Sequence, residues 1–172
     1  MPANAYQFVE DWFIPAPIDE VWQVLARISR YPEWWKPVYQ DAEIMGSAGG
    51  PTDEPHVGQI VRVVAKGLLP YTLHFSLTTV ALQRPTMIEC QATGDFVGRS
   101  CWSLRPENNG TIATLDWAPL VEKSIIKLLS PFLKPLFEWN HRWTMKHGER
   151  GLRELLGGQK PQIRSQESGA GS

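Results

Sequence analysis

The chain has 172 residues and a formal net charge of −1, so a single domain is expected and no long-range field draws it to nucleic acid or an anionic membrane surface. Hydrophobic residues make up 42% and charged residues 20%, the ordinary balance of a soluble globular protein. No run approaches the roughly 18 apolar residues of a membrane span, so no stable membrane insertion is expected.

The first residues, MPANAYQFVEDW, lack the basic region and apolar stretch of a signal peptide, and a cytoplasmic protein is the expectation. Residues 6–14 alternate aromatic or aliphatic side chains with polar ones and predict a strand ending at Pro15. In the following PAPIDEVWQVLARISRYPEWW, Asp19 is placed to cap a helix whose Val21, Trp22, Leu25 and Ile28 recur at helical spacing. Pro32 breaks that helix and opens a second short one carrying Trp34 and Trp35, which Pro37 ends. A strand is predicted near 38–45, then a flexible stretch, GSAGGPTDEP, too rich in Gly and Pro for regular structure.

Short β-rich runs follow at 59–66, 71–83, 86–95 and 98–105. Asn108-Asn109-Gly110 predicts a hairpin turn, because Asn and Gly accept positive φ at little cost, and 111–120 closes the set. Connections this short argue for an antiparallel meander.

After Pro119 the pattern turns helical. Residues 121–133 carry Ile125, Ile126, Leu128 and Leu129, and Pro131 and Pro135 mark breaks before the longest helical run, KPLFEWNHRWTMKHGERGLRELL at 134–156. Leu136, Asn140, Trp143 or Thr144, His147 and Gly151 form one stripe on that run; Phe137, His141, Met145, Gly148, Leu152 and Leu155 form its neighbour. Gly148 and Gly151 each cost a helix roughly 1 kcal/mol relative to Ala. Close approach of helix to sheet is one explanation, and room for a ligand is the other. The remaining tail, 157–172, is polar and Gly/Ser-rich and is expected to be disordered, leaving 1–156 as the domain.

These elements suit an α+β fold: one curved antiparallel sheet wrapped around a long C-terminal helix, with two short helices after the first strand closing one end. A single helix does not fill such a concave face, and a cavity is the natural result. The eight tryptophans fit either a filled core or a pocket wall.

The N-terminal pattern of a strand, Pro-Ala-Pro, Asp-x-Val-Trp and Tyr-Pro-x-Trp-Trp resembles the START-like, Bet v 1-like helix-grip superfamily. FEWNHRWTMKHGERGLRELL resembles the long helix of its bacterial polyketide cyclase/dehydrase-like group. Together these motifs bracket residues 6–156. The resemblance implies the helix-grip fold and an internal site for a lipid, hormone or polyketide. It brings no catalytic motif common to the superfamily, and fold alone does not assign activity.

Strand alternation makes Val61, Val63, Leu73, Phe75, Leu77, Ile88, Cys90, Ala92, Ser100 and Trp102 the candidate cavity wall. With Trp35, Asn140, Trp143 and Thr144 they give a mostly apolar ligand site with a few polar points. Asp116 and His141 are the candidate acid/base pair, although Leu115 and Trp117 compete with Asp116 for the inner face. The candidate lid comprises 46–55, 67–70 and the segment before the long helix. Cys90 and Cys101 are the chain's two cysteines, have no metal-ligand spacing and are able to face each other across a hairpin. No metal or cofactor is expected.

The leading functional expectation is binding of a small hydrophobic molecule, such as a lipid, isoprenoid or aromatic polyketide. The alternatives are a polyketide aromatase/cyclase using cavity acid/base residues, and an accessory protein engaging a partner through its groove. The sequence identifies no protein partner.

Overall fold

Alternation along each strand sets which face of the sheet is buried. In the third strand, Val61, Val63 and Ala65 are buried while Ile60, Arg62 and Lys66 are exposed, because successive side chains point to opposite faces. The structure, a computed structural model, describes residues 7–46, 53–120 and 124–157, with the backbone alone over 124–134. Its elements are β1 (Phe8–Ile14), α1 (Ile18–Ala26), a 3-10 turn (Ile28–Arg30), α2 (Tyr31–Trp34), β2 (Tyr39–Met45), β3 (Ile60–Lys66), β4 (Thr72–Gln83), β5 (Met87–Gly94), β6 (Val97–Glu107), β7 (Gly110–Leu120) and α3 (Ser124–Gly157).

The seven strands form one antiparallel sheet in the order β1-β7-β6-β5-β4-β3-β2. Strands β2 to β7 are the expected meander; β1 joins beside β7, so the first two strands lie at opposite edges. The β6–β7 turn holds Asn108 and Asn109 at φ 35° and 65°, the conformation for which Asn suits a two-residue hairpin. Register shifts at Thr79/Ala81 and at Tyr39/Asp41 mark irregularities in β4 and β2, of the kind that bends a strand and increases its twist.

Three local expectations need correction. Helix α1 is capped by Pro17 without a side-chain bond, and Asp19 sits inside the first turn, where its carboxylate meets the positive end of the helix dipole. Helix α3 runs 34 residues without interruption through Pro131 and Pro135; each proline removes one backbone donor, and the neighbouring turns carry the helix past it. Cys90 pairs with Ser100 while Cys101 pairs with Glu89, so the two thiols point to opposite faces of the sheet and both are free. The tail and most of the Gly-rich 46–55 stretch lie outside the described residues, as does 121–123.

The two glycines of α3 have one explanation. A Cβ on Gly148 would lie 2.4 Å from Trp35 and 2.6 Å from Trp12, and one on Gly151 would lie 1.9 Å from the Trp34 carbonyl oxygen. They let the C-terminal half of α3 press onto α2 and β1, and make no room for a ligand. Met145, Leu152 and Leu156 complete this contact and are buried. Trp35 fastens it from the other side, its indole N–H donating to the Thr144 carbonyl at 2.8 Å.

Candidate functional site

With the C-terminal half of α3 seated on tryptophans, its N-terminal half stands away from the concave face and leaves space beneath it. That space is a cavity of about 860 Å³. Its wall comes from the inner faces of β3 to β7, from Phe8, Tyr31, Trp35 and Tyr39 at one side, and from Leu136, Phe137, Asn140, His141, Thr144 and Met145 on α3. The β3–β4 turn, through Gly67, Leu69, Pro70 and Tyr71, closes part of the opening.

Among the candidate ligand-binding residues, Trp35, Leu73, Phe75, Leu77, Cys90, Trp102, Asn140 and Thr144 stand on this wall. Val61, Val63, Ala92 and Trp143 do not. Val63 is fully buried on β3, but the cavity opens beside its inward neighbour Ala65, nearer the strand's end. Trp143 turns along α3 instead, its ring 4.1 Å from that of His147, because the helix presents Thr144 to the cavity and Trp143 lies one residue, about 100°, around the axis. Of the lid candidates, the 67–70 turn borders the cavity; much of 46–55 falls outside the described residues, and most of the segment before the long helix is itself the beginning of α3, which starts at Ser124.

The acid/base pair drawn from sequence does not form. Leu115 and Trp117 take the inner positions of β7, so Asp116 points to the convex side, where Gln7 Nε2 donates to its Oδ1 at 3.3 Å. His141 is part of the cavity wall, and the carboxylate beside it is Glu10, whose Oε1 lies 3.8 Å from His141 Nε2. Burial holds the imidazole down at a pKa of about 4, so it is neutral at physiological pH.

Several other polar points are committed or held neutral. Tyr31 donates its hydroxyl to the Leu25 carbonyl at 2.6 Å, and burial raises both its pKa and that of Tyr39. Thr144 donates to the His141 carbonyl at 2.7 Å, which leaves its oxygen lone pairs toward the cavity. Burial pushes the Cys90 thiol up to about 11, so it is protonated and a poor nucleophile. The wall is therefore mostly apolar, with Lys66, Tyr71, Asp95, Ser100, Asn140, His141 and Thr144 among its polar points.

Asn140 ties the opening together. Its side-chain oxygen accepts the Leu68 backbone N–H at 2.7 Å, and Gly67 is needed there, since a Cβ would lie 2.2 Å from that oxygen. Asn140→Ala is expected to cost about 1 kcal/mol, as for an ordinary hydrogen bond at a partly exposed site, and to speed hydrogen exchange at the Leu68 amide. An unchanged exchange rate at Leu68 would show that the turn is held by other contacts.

Sequence reading missed Phe8, Tyr31, Tyr39, Tyr71, Phe96 and Phe137 as wall residues. For Phe8 the signal was present, because Phe8, Trp12 and Ile14 share one face of β1; for Tyr31 and Tyr39 it was not, because they sit at element ends without a period.

The family comparison matches this geometry. The model for "polyketide cyclase / dehydrase and lipid transport" proteins covers residues 7–156. The chain belongs to that family. No curated protein sequence matches it. Among solved structures, a protein from Thermus thermophilus superposes with TM-score 0.67 at 18% identity, covering 87% of this chain and 99% of its own. A START superfamily protein from Mycobacterium smegmatis gives 0.65 at 15%, covering 90% and 99%. The Zhui aromatase/cyclase from a Streptomyces species gives 0.61 at 15%, covering 88% and 96%. At these identities the likeness establishes the helix-grip fold of this family member and leaves its ligand open.

Proposed function

We propose that this family member binds a small hydrophobic molecule, of lipid, isoprenoid or aromatic polyketide type, in the cavity between sheet and α3. The observation that carries the reading is the cavity itself. About 860 Å³ lies within the range of ligand pockets, roughly 300–1,000 Å³, whereas a sheet and helix built only for stability pack with few voids larger than a water molecule. Burial of apolar ligand surface at about 25 cal/mol per Å² supplies the driving force before ordering costs are subtracted. Aromatic rings from Tyr31, Trp35, Phe75, Phe96, Trp102 and Trp117 favour a ligand with flat or unsaturated portions. The family description names cyclases, and Zhui is itself an aromatase/cyclase, which keeps an aromatic polyketide among the ligand classes.

Native mass spectrometry of the protein purified from its own host tests this directly, with a co-purifying molecule released on denaturation as the expected result. A titration with 1-anilinonaphthalene-8-sulfonate, whose fluorescence rises in apolar sites, gives the second test. Leu77→Trp, which adds bulk at the inner wall, is expected to weaken that binding at least several-fold with the fold retained. Equal binding by the variant would place the dye outside the cavity.

The environment of His141 adds a pH dependence. Its folded pKa of about 4 lies below the ordinary value near 6.5, so the unfolded chain takes up the proton first. Stability is then full above pH about 6.5 and falls as pH drops toward about 4. His141→Gln is expected to flatten this part of a stability–pH curve measured by urea unfolding. A wild-type curve that stays level from pH about 6.5 to 4 would contradict the assignment.

A further inference from the structure

The two ends of the sheet differ in the chemistry of their turns. Where β3, β5 and β7 finish, the β3–β4 connection reads Gly-Leu-Leu-Pro-Tyr at 67–71 and the β5–β6 connection is Asp95-Phe96. At the other end, β4 and β5 are joined through Arg84, Pro85 and Thr86, and β6 and β7 through Asn108 and Asn109. The second set is the polar kind that a water-facing turn takes; the first set is largely apolar. The apolar end is the one at which the cavity opens, since Gly67, Leu69, Phe96 and Pro119 border it.

Among the described residues, five large apolar side chains stand exposed at that end. They are Leu68 and Tyr71 in the β3–β4 connection, Leu120 at the end of β7, and Leu136 and Trp139 on α3. Tyr71 and Leu136 line the cavity, and Leu68, Leu120 and Trp139 are chain neighbours of Gly67, Pro119 and Asn140, which line it too. The hydrogen bond from the Leu68 amide to Asn140 ties two sides of this rim together. Trp139 is 53% exposed. The stretch of α3 that leads to it, 124–139, has Lys127, Lys134 and Glu138 as its only charged residues. Exposed apolar residues scattered singly are ordinary, whereas a cluster around one opening marks a contact surface.

What covers this surface has to leave the opening usable. The five side chains project from a turn, a strand end and a helix around a hole, so a rigid protein surface seated on them would stopper the cavity. A fluid apolar phase would continue it instead. Trp and Tyr, apolar bodies with a polar tip, suit the boundary between hydrocarbon and headgroups. Lys66 and Asp95 bring one charge of each sign to the lining, which favours zwitterionic over anionic lipid.

We propose that the cavity rim docks on the surface of a zwitterionic lipid bilayer, with Leu68, Leu120, Leu136 and Trp139 entering the interface, so that a hydrophobic ligand passes between bilayer and cavity without crossing water. The passage of ligand rests on the binding reading above; the docking itself does not. No described helix is long and apolar enough to cross a membrane, so the docking is peripheral and reversible, as a few shallowly buried apolar side chains allow.

Flotation of the full chain with large unilamellar phosphatidylcholine vesicles tests this. Wild-type protein is expected to float with the vesicles, with little change between about 0.05 and 0.5 M salt, because screening acts on charges and not on apolar burial. Leu68→Ser combined with Trp139→Ser is expected to lower the bound fraction at least about tenfold. The same variant is expected to bind 1-anilinonaphthalene-8-sulfonate as wild type does without vesicles, since neither side chain borders the cavity. Val57→Ser combined with Val80→Ser removes apolar side chains exposed away from the rim and is expected to leave flotation unchanged.

Wild-type protein that stays below the vesicles overturns the docking proposal, and so does a rim variant that floats as wild type does; dye binding by the same protein then keeps the binding reading standing. Protein that floats but binds no dye overturns the binding reading alone. An equal loss of flotation in the Val57 and Val80 variant would assign the effect to general stickiness and overturn the role of the rim. Wild type eluting as a dimer and the rim variant as a monomer in size-exclusion chromatography would give this surface to a second copy, which also overturns the proposal. Should the rim variant fail to fold, wild type decides with phosphatidylcholine brominated on its acyl chains, which quenches tryptophan that enters the bilayer: unquenched emission overturns the docking.

Discussion

Gly151→Ala is expected to destabilise the protein by about 2–3 kcal/mol, as overpacking does in a closed contact. Helix propensity alone predicts the opposite sign, since Ala is favoured over Gly by roughly 1 kcal/mol in a helix interior. The contact decides. An added Cβ would sit 1.9 Å from the Trp34 carbonyl oxygen, and a backbone oxygen cannot rotate away as a side-chain end does. Relief requires α3 to lift from α2, which loosens the Trp35 to Thr144 hydrogen bond and the seats of Leu152 and Leu156. Urea unfolding at fixed pH reads the effect as a fall in midpoint with the slope unchanged. A variant as stable as wild type would mean that α3 and α2 slide apart without loss, and that the cavity's end is softer than the contacts indicate.

Trp12→Ala is expected to cost about 3–5 kcal/mol, the range for removing a large buried aromatic side chain. Trp12 is 1% exposed and joins three parts of the fold. Its ring lies 5.2 Å from that of Trp35 and 4.8 Å from that of Trp102, and its far edge meets the backbone of α3 at Gly148. Loss of the indole leaves a hole between the sheet, α2 and α3, with rigid rings on two sides that cannot collapse into it. The same hole lies next to the ligand cavity through Trp35 and Trp102, so the variant is also expected to bind 1-anilinonaphthalene-8-sulfonate differently from wild type. Chemical unfolding measures the first effect, and a loss below about 1 kcal/mol would show that neighbouring side chains refill the site.

Both substitutions act on α3, where sequence and structure part most clearly. The stripe Phe137, His141, Met145, Gly148, Leu152 was legible as a period. Nothing in the period says that its first half faces a void and its second half a wall of indoles. That follows from the angle at which the helix crosses the sheet, which Trp34, Trp35 and Trp12 set through their volumes. The glycines were therefore readable as special and unreadable as to purpose. Val63 and Trp143 show the same limit: one is on the inner face and the other on the helix, yet neither borders the cavity.

Glu10 is a different case. It stands in the inward series of β1 between Phe8 and Trp12, and that break in alternation is visible in the chain. In the sequence Asp116 on β7 is the candidate acidic partner, although Leu115 and Trp117 already claim the inner face there. His141 supplied half of the pair, and only the fold shows which strand brings the carboxylate.

By itself the sequence determined the succession of strands and helices along the chain and the family pattern at both ends, because a period of two along a strand and turn residues at fixed places are local properties. The tertiary structure alone decided where the concave face is covered and where it is open, what the glycines of α3 admit, and that Glu10 stands beside His141. Each of those depends on how side chains from distant parts of the chain fill a shared volume, and no local pattern carries that information.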